Sequence, residues 1–129
     1  EMTKVLPDIP LQVFTDGLVT ALELSKYSNI EATMIGGQIN TDSVRSSGFK
    51  VFEELNKLHF DFSFLGTDAY RPDFGFVCCS AHAAALFQTL IGARAARSIP
   101  TNQVDIVVSD GGLSNATAKA LSQAGVMLL

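Results

Sequence analysis

The sequence predicts a three-layer α/β domain, with a mainly parallel sheet and helices on both faces. Two observations predict it. Short apolar runs of strand length alternate with stretches of helical period along the chain. Four of the strand-like runs also end in small or polar residues: Thr15-Asp16-Gly17, Gly36-Gly37, Gly66-Thr67-Asp68 and Asp110-Gly111-Gly112. In a parallel sheet those carboxyl ends line one edge, where open α/β folds hold their ligands.

Taken in order, "LQVF" (11–14) reads as a first strand. "LVTALELSKY" (18–27) follows as a helix, with Leu18, Ala21, Leu22 and Leu24 near helical spacing and Ser28-Asn29 closing it. "IEATMI" (30–35) is the second strand. "SVRSSGFKVFEELNKL" (43–58) sets Val44, Phe49, Phe52, Leu55 and Leu58 mostly on one face, a second amphipathic helix. "FDFSFL" (60–65) alternates Phe60, Phe62 and Phe64 with polar residues and reads as a third strand, running straight into Gly66-Thr67-Asp68. Ser80 is positioned to cap a helix reaching to about Arg97, with Leu86, Leu90 and Ile91 inward. "VDIVVS" (104–109) is a fourth strand, Ser114 opens a short helix to Ala124 that Gly125 ends, and "VMLL" (126–129) starts a fifth strand.

The totals narrow the function. At 129 residues the chain suits one domain, spanning 1–129, with a single core. Hydrophobic residues at 47% and charged residues at 17% fit a globular protein rather than a disordered one. No apolar run approaches the ~20 residues of a membrane span, and no secretory leader is visible, so a cytoplasmic location is expected. Net charge is −4, and nine Lys and Arg are scattered among thirteen acids. Without a basic stripe, these residues should not bind DNA unaided. Cys78 and Cys79 are adjacent, with His82 following, and lack the four-ligand spacing of a structural zinc site. No metal and no cofactor is expected.

The loops carry the candidate chemistry. Glycine lets a ligand approach the backbone closely, and exposed N–H groups suit an anion such as phosphate. Thr15 and Thr67 add hydroxyls, Asp16 and Asp68 add carboxylates, and Arg45 is the nearest cationic residue after the Gly-Gly loop. Gly and Asp are also ordinary turn residues, which βα loops need whether or not anything binds.

The same segments carry a family likeness. "VFTDGLVTALELSKYSNIEATMIGGQIN", "FDFSFLGTDAY" and "VDIVVSDGGLSNATAKALSQAGVMLL" resemble, in order and spacing, the carboxy-terminal sensor domain of DeoR-family bacterial transcriptional regulators. That resemblance implies a fold similar to ribose-5-phosphate isomerase and glucosamine-6-phosphate deaminase. It also implies a phosphorylated sugar or related metabolite as ligand, self-association, and DNA binding through an amino-terminal winged helix-turn-helix that this chain does not contain. The ligand contacts it implies are Thr15, Asp16, Gly36, Gly37, Gly66, Thr67 and Asp68, with Asp68 accepting sugar hydroxyls.

The chain departs from the family pattern in several places. Ala83 and Phe87 stand where the pattern has Glu and Lys, Asn40 replaces a basic residue, and a Ser-Gly-Thr-Thr phosphate loop is absent before residue 1. The join at Ser98-Ile99 is abrupt, as though a strand and a long loop were omitted. A metabolite-sensing, oligomerising domain is the expected function, and a non-enzyme. A ligand-free dimerisation module and a sugar-phosphate isomerase or deaminase are the alternatives.

Overall fold

A computed structural model describes Thr3, residues 6–91 and residues 98–129. The chain divides into two compact units, Glu1–Leu58 and His59–Leu129.

The first unit begins with a βαβ arrangement. Strand β1 (Leu11–Thr15) pairs in parallel with β2 (Ile30–Met34), in a register that sets Leu11 opposite Ile30 and Thr15 opposite Met34. Helix α1 (Leu18–Leu24) connects them, and its Leu24 is buried. The alternation of an apolar run, a helical period and a second apolar run is what produces this unit. A short antiparallel hairpin follows, β3 (Gln38–Asn40) and β4 (Arg45–Ser47), and then helix α2 (Phe49–Leu55). Buried Leu24, Ile30, Ile35, Val51 and Leu55 form the apolar interior here.

In the second unit, β5 (Ala69–Arg71), β6 (Gly75–Val77) and β7 (Ser98–Ile99) form an antiparallel three-stranded sheet in that order. Helix α3 spans Ala81–Ile91. A 3-10 turn at Thr101–Gln103 leads to β8 (Ile106–Val107), which pairs in parallel with β9 (Met127–Leu128) after helix α4 (Asn115–Gln123). The core is Phe76, Cys78, Ala84, Phe87, Ile99, Leu121 and Val126.

The helix ends follow the sequence signals. The Ser80 hydroxyl accepts the Ala83 N–H at 3.0 Å, and the Ser114 hydroxyl accepts the Thr117 N–H at 3.1 Å. After α4, the Gly125 N–H donates to Ser122 and the Val126 N–H donates to Leu121, closing the carboxyl end with two of its own carbonyls. Buried Leu121 and Val126 add the apolar contact that accompanies such an end.

Three expectations need correction. The domain is α/β, but the described residues form four separate sheets of two or three strands, not one mainly parallel sheet. Two of the five strand pairings are parallel and three are antiparallel. Residues 60–65 form no strand. Phe62 and Phe64 lie 78% and 69% exposed; period-two alternation prepares a strand, but a strand exists only when a neighbour pairs with it. The expected helix 43–58 is shorter, because 45–47 joins the hairpin and Gly48, at φ +102°, stands between strand and helix. At Ser98-Ile99 a two-residue edge strand pairs with Val77 and Phe76. The expected run of α3 to Arg97 and the inward side chain of Ile91 lie outside the described residues.

Candidate functional site

In the first unit, three segments converge at the carboxyl end of β1 and β2. Thr15 ends β1, and its hydroxyl accepts the Gly17 N–H at 3.1 Å, which fixes the turn into α1. The Thr15 carbonyl accepts the Ile35 N–H at 2.9 Å, so the loop holding Gly36 and Gly37 leaves the sheet beside the loop holding Asp16. Strand β4 then crosses this end. The Ser46 N–H donates to the Asp16 carbonyl at 2.7 Å, the Leu18 N–H donates to Val44 at 3.1 Å, and Gly17 bridges to Arg45.

Gly37 is required by this crossing. A Cβ there would meet the Ser47 carbonyl oxygen and the Val51 side chain, so only glycine lets the loop pass the hairpin. Gly36, by contrast, faces open space and is exposed.

An ion pair joins the hairpin to the first loop. Arg45 Nη1 lies 3.2 Å from Asp16 Oδ1 and 3.4 Å from Oδ2. The Arg45 side chain is 50% exposed and the Asp16 side chain only 13%. The pair therefore presents its cation outward and its carboxylate inward. Arg45, Val44, Ser43, Gly17, Val19 and Thr20 line a cavity of about 120 Å³. Thr15, Asp16, Gly36, Gly37 and Arg45 are thus gathered at one end of this unit.

Three contributors escaped the sequence. Ser46 is 2% exposed, and its hydroxyl lies against the carbonyls of Ile35 and Asp16, tying both loops to the hairpin. Its polar surroundings, "TDSVRSS", give no hint of burial. Val44 adopts φ +51°, an uncommon conformation for a β-branched residue, and Thr20 faces the cavity from α1.

Gly66, Thr67 and Asp68 lie in the second unit, all exposed. The Asp68 N–H donates to Val77 at 2.9 Å, and Asp68 Oδ2 accepts the Cys79 N–H at 2.7 Å. The carboxylate thus pins the start of the segment leading to α3. Cys78 is buried and Cys79 exposed, and neither forms a disulfide. Among the described residues, no three His, Cys, Asp or Glu side chains gather where they could hold a metal ion. Phe87 is 1% exposed, in the core of this unit, with Ala83 packed against that core. Neither position carries a charge.

Residues 1–99 match the DeoR C-terminal sensor domain model. The chain belongs to the DeoR sensor-domain family. It is 25% identical, over 90% of its length, to the HTH-type transcriptional regulator GolR of Listeria innocua, covering 52% of that protein. It is 29% identical, over 93% of its length, to the uncharacterized HTH-type transcriptional regulator YulB of Bacillus subtilis, covering 53% of it. The chain spans about half the length of these two curated relatives. No solved structure matches it. Among the described residues of this DeoR sensor domain, no helix is long and apolar enough to cross a membrane.

Proposed function

We propose that this DeoR sensor domain binds a phosphorylated sugar and, by self-associating, transmits that binding to DNA contacts made by an amino-terminal helix-turn-helix domain. The observation that carries this reading is the convergence of Thr15, Asp16, Gly36, Gly37 and Arg45 at one end of β1 and β2. There a half-exposed guanidinium stands beside glycine loops and a threonine hydroxyl. A guanidinium matches phosphate oxygens in a fixed fork, and backbone N–H groups in small loops add donors. For Gly66, Thr67 and Asp68 the assignment rests on the sequence pattern, with Asp68 as an acceptor of sugar hydroxyls. Membership among transcriptional regulators supports a sensing role over catalysis, and a regulator acting on DNA would work in the cytoplasm.

A thermal-shift screen of phosphorylated sugars against the full-length regulator tests the reading. At least one should stabilise the protein saturably, because a ligand that binds only the folded state raises its stability. One observation favours a second reading, a ligand-free self-association module. The positions where the resemblance expects Glu and Lys hold Ala83 and Phe87, and Phe87 is sealed in the core. A screen without hits, from a protein that still binds DNA as a dimer, would select that module.

A further inference from the structure

Arg45 Nη1 pairs with the Asp16 carboxylate at 3.2 Å. We infer that this ion pair is a latch: Asp16 serves as a built-in counter-anion that holds the Gln38–Ser47 hairpin down, and a ligand phosphate must displace it to reach Arg45. The inference rests on the proposed binding of a phosphorylated ligand at these loops, and adds how that site is gated.

Three observations carry it. Among the described residues, Arg45 meets Asp16 through Nη1, and half of the Arg45 side chain faces solvent. Phosphate would take the fork in two parallel hydrogen bonds, a better match than this single-nitrogen contact. Secondly, the cavity that Arg45 lines is about 120 Å³. Small-molecule sites run from roughly 300 to 1,000 Å³. That hollow, lined also by Gly17, Val19, Thr20, Ser43 and Val44, lies below that range, so a whole sugar phosphate would need more room beside Arg45 than it offers. Thirdly, Val44, next to Arg45, is held at φ +51° while its carbonyl accepts the Leu18 N–H. Such a conformation persists only where neighbouring contacts impose it, and the next residue, Arg45, carries the ion pair.

The test is calorimetric titration of the full-length protein with inorganic phosphate at low ionic strength, for wild type, Asp16→Asn and Asp16→Asn/Arg45→Ala. An exposed ion pair is worth about 0.2–1 kcal/mol, so removing the competing charge should tighten phosphate binding by about 1.5- to 5-fold. The double variant should lose that gain. In parallel, the Arg45 Nε resonance of the wild type should shift on adding phosphate and stay still on adding equal chloride. That readout does not depend on the Asp16 variant folding. Phosphate affinity that falls or stays the same in Asp16→Asn, or an Arg45 resonance indifferent to phosphate, overturns the latch. If the latch result is obtained but no sugar phosphate binds, the latch stands and the proposed ligand class fails. If sugar phosphates bind while phosphate ignores Asp16 and Arg45, the ligand class stands and the latch fails.

Discussion

The carboxylate of Asp68 accepts the backbone N–H of Cys79 at 2.7 Å, eleven residues along the chain. That bond gives Asp68 a structural duty beside the ligand contact proposed for it, and the two can be separated. Asp68→Asn keeps an oxygen for the Cys79 N–H, whereas Asp68→Ala does not. We expect Asp68→Ala to cost about 0.5–1.5 kcal/mol of stability, and Asp68→Asn less. For a confirmed sugar ligand, Asp68→Ala should weaken affinity by about 1.5–3 kcal/mol, as for a hydrogen bond to a charged group. Chemical denaturation measures the first effect and calorimetry the second. Unchanged affinity in Asp68→Ala would remove the acid from the binding role.

Restoring the charge pattern at α3 should fail. Phe87 is 1% exposed, among Phe76, Cys78 and Leu121. Phe87→Lys would bury an unpaired ammonium, and Phe87→Ala would leave a cavity costing about 3–5 kcal/mol. Both variants should unfold at markedly lower denaturant. A Phe87→Lys protein as stable as wild type would show that the position can turn outward to a ligand.

Gly75 should tolerate no side chain. It adopts φ +80°, and a Cβ there would collide with the Ile99 carbonyl oxygen across the β6–β7 pairing. Gly75→Ala should cost about 3 kcal/mol or more, combining an unfavourable backbone conformation with displacement of the edge strand. Thermal melts of the two proteins decide it, and a shift of under one degree would contradict the packing described.

Val44 offers the opposite sign. Val44 is 41% exposed, so little apolar burial is lost on substitution. Asn accepts the left-handed conformation more readily than a β-branched residue. Val44→Asn should therefore stabilise the protein by about 0.5–1 kcal/mol, read as a raised denaturation midpoint. A lowered midpoint would mean that the Val44 side chain contributes more than its backbone strain costs.

Some of this was readable in the residues and some was not. The β1–α1–β2 unit and the Ser80, Ser114 and Gly125 helix ends were legible, because periodicity and capping are local properties. The hairpin that builds the Arg45 site was not. Its strands "QIN" and "RSS" carry no apolar alternation, and what fits them together is the close approach of Gly37 to Ser47 and the burial of Ser46, which depend on segments distant in sequence. The β5–β6 hairpin did leave a signal, Pro72-Asp73 followed by Gly75, and the Phe74 N–H closes that turn on Arg71 at 3.1 Å. "FDFSFL" failed in the other direction, as alternation without a pairing strand. Candidate residues could be proposed from their loops, yet the pairing of Asp16 with Arg45 follows only from the hairpin's path.

The most direct test of the central claim compares a phosphorylated sugar with its unphosphorylated parent by calorimetry on the full-length regulator, using the best ligand from the thermal-shift screen. A guanidinium and glycine-loop donors that recognise phosphate should make the phosphorylated form bind at least tenfold more tightly, a difference of about 1.4 kcal/mol. That preference should shrink in Arg45→Ala. Equal affinity for the two sugars, or no binding of either by a protein that still binds DNA, would contradict the assignment of this domain as a sugar-phosphate sensor.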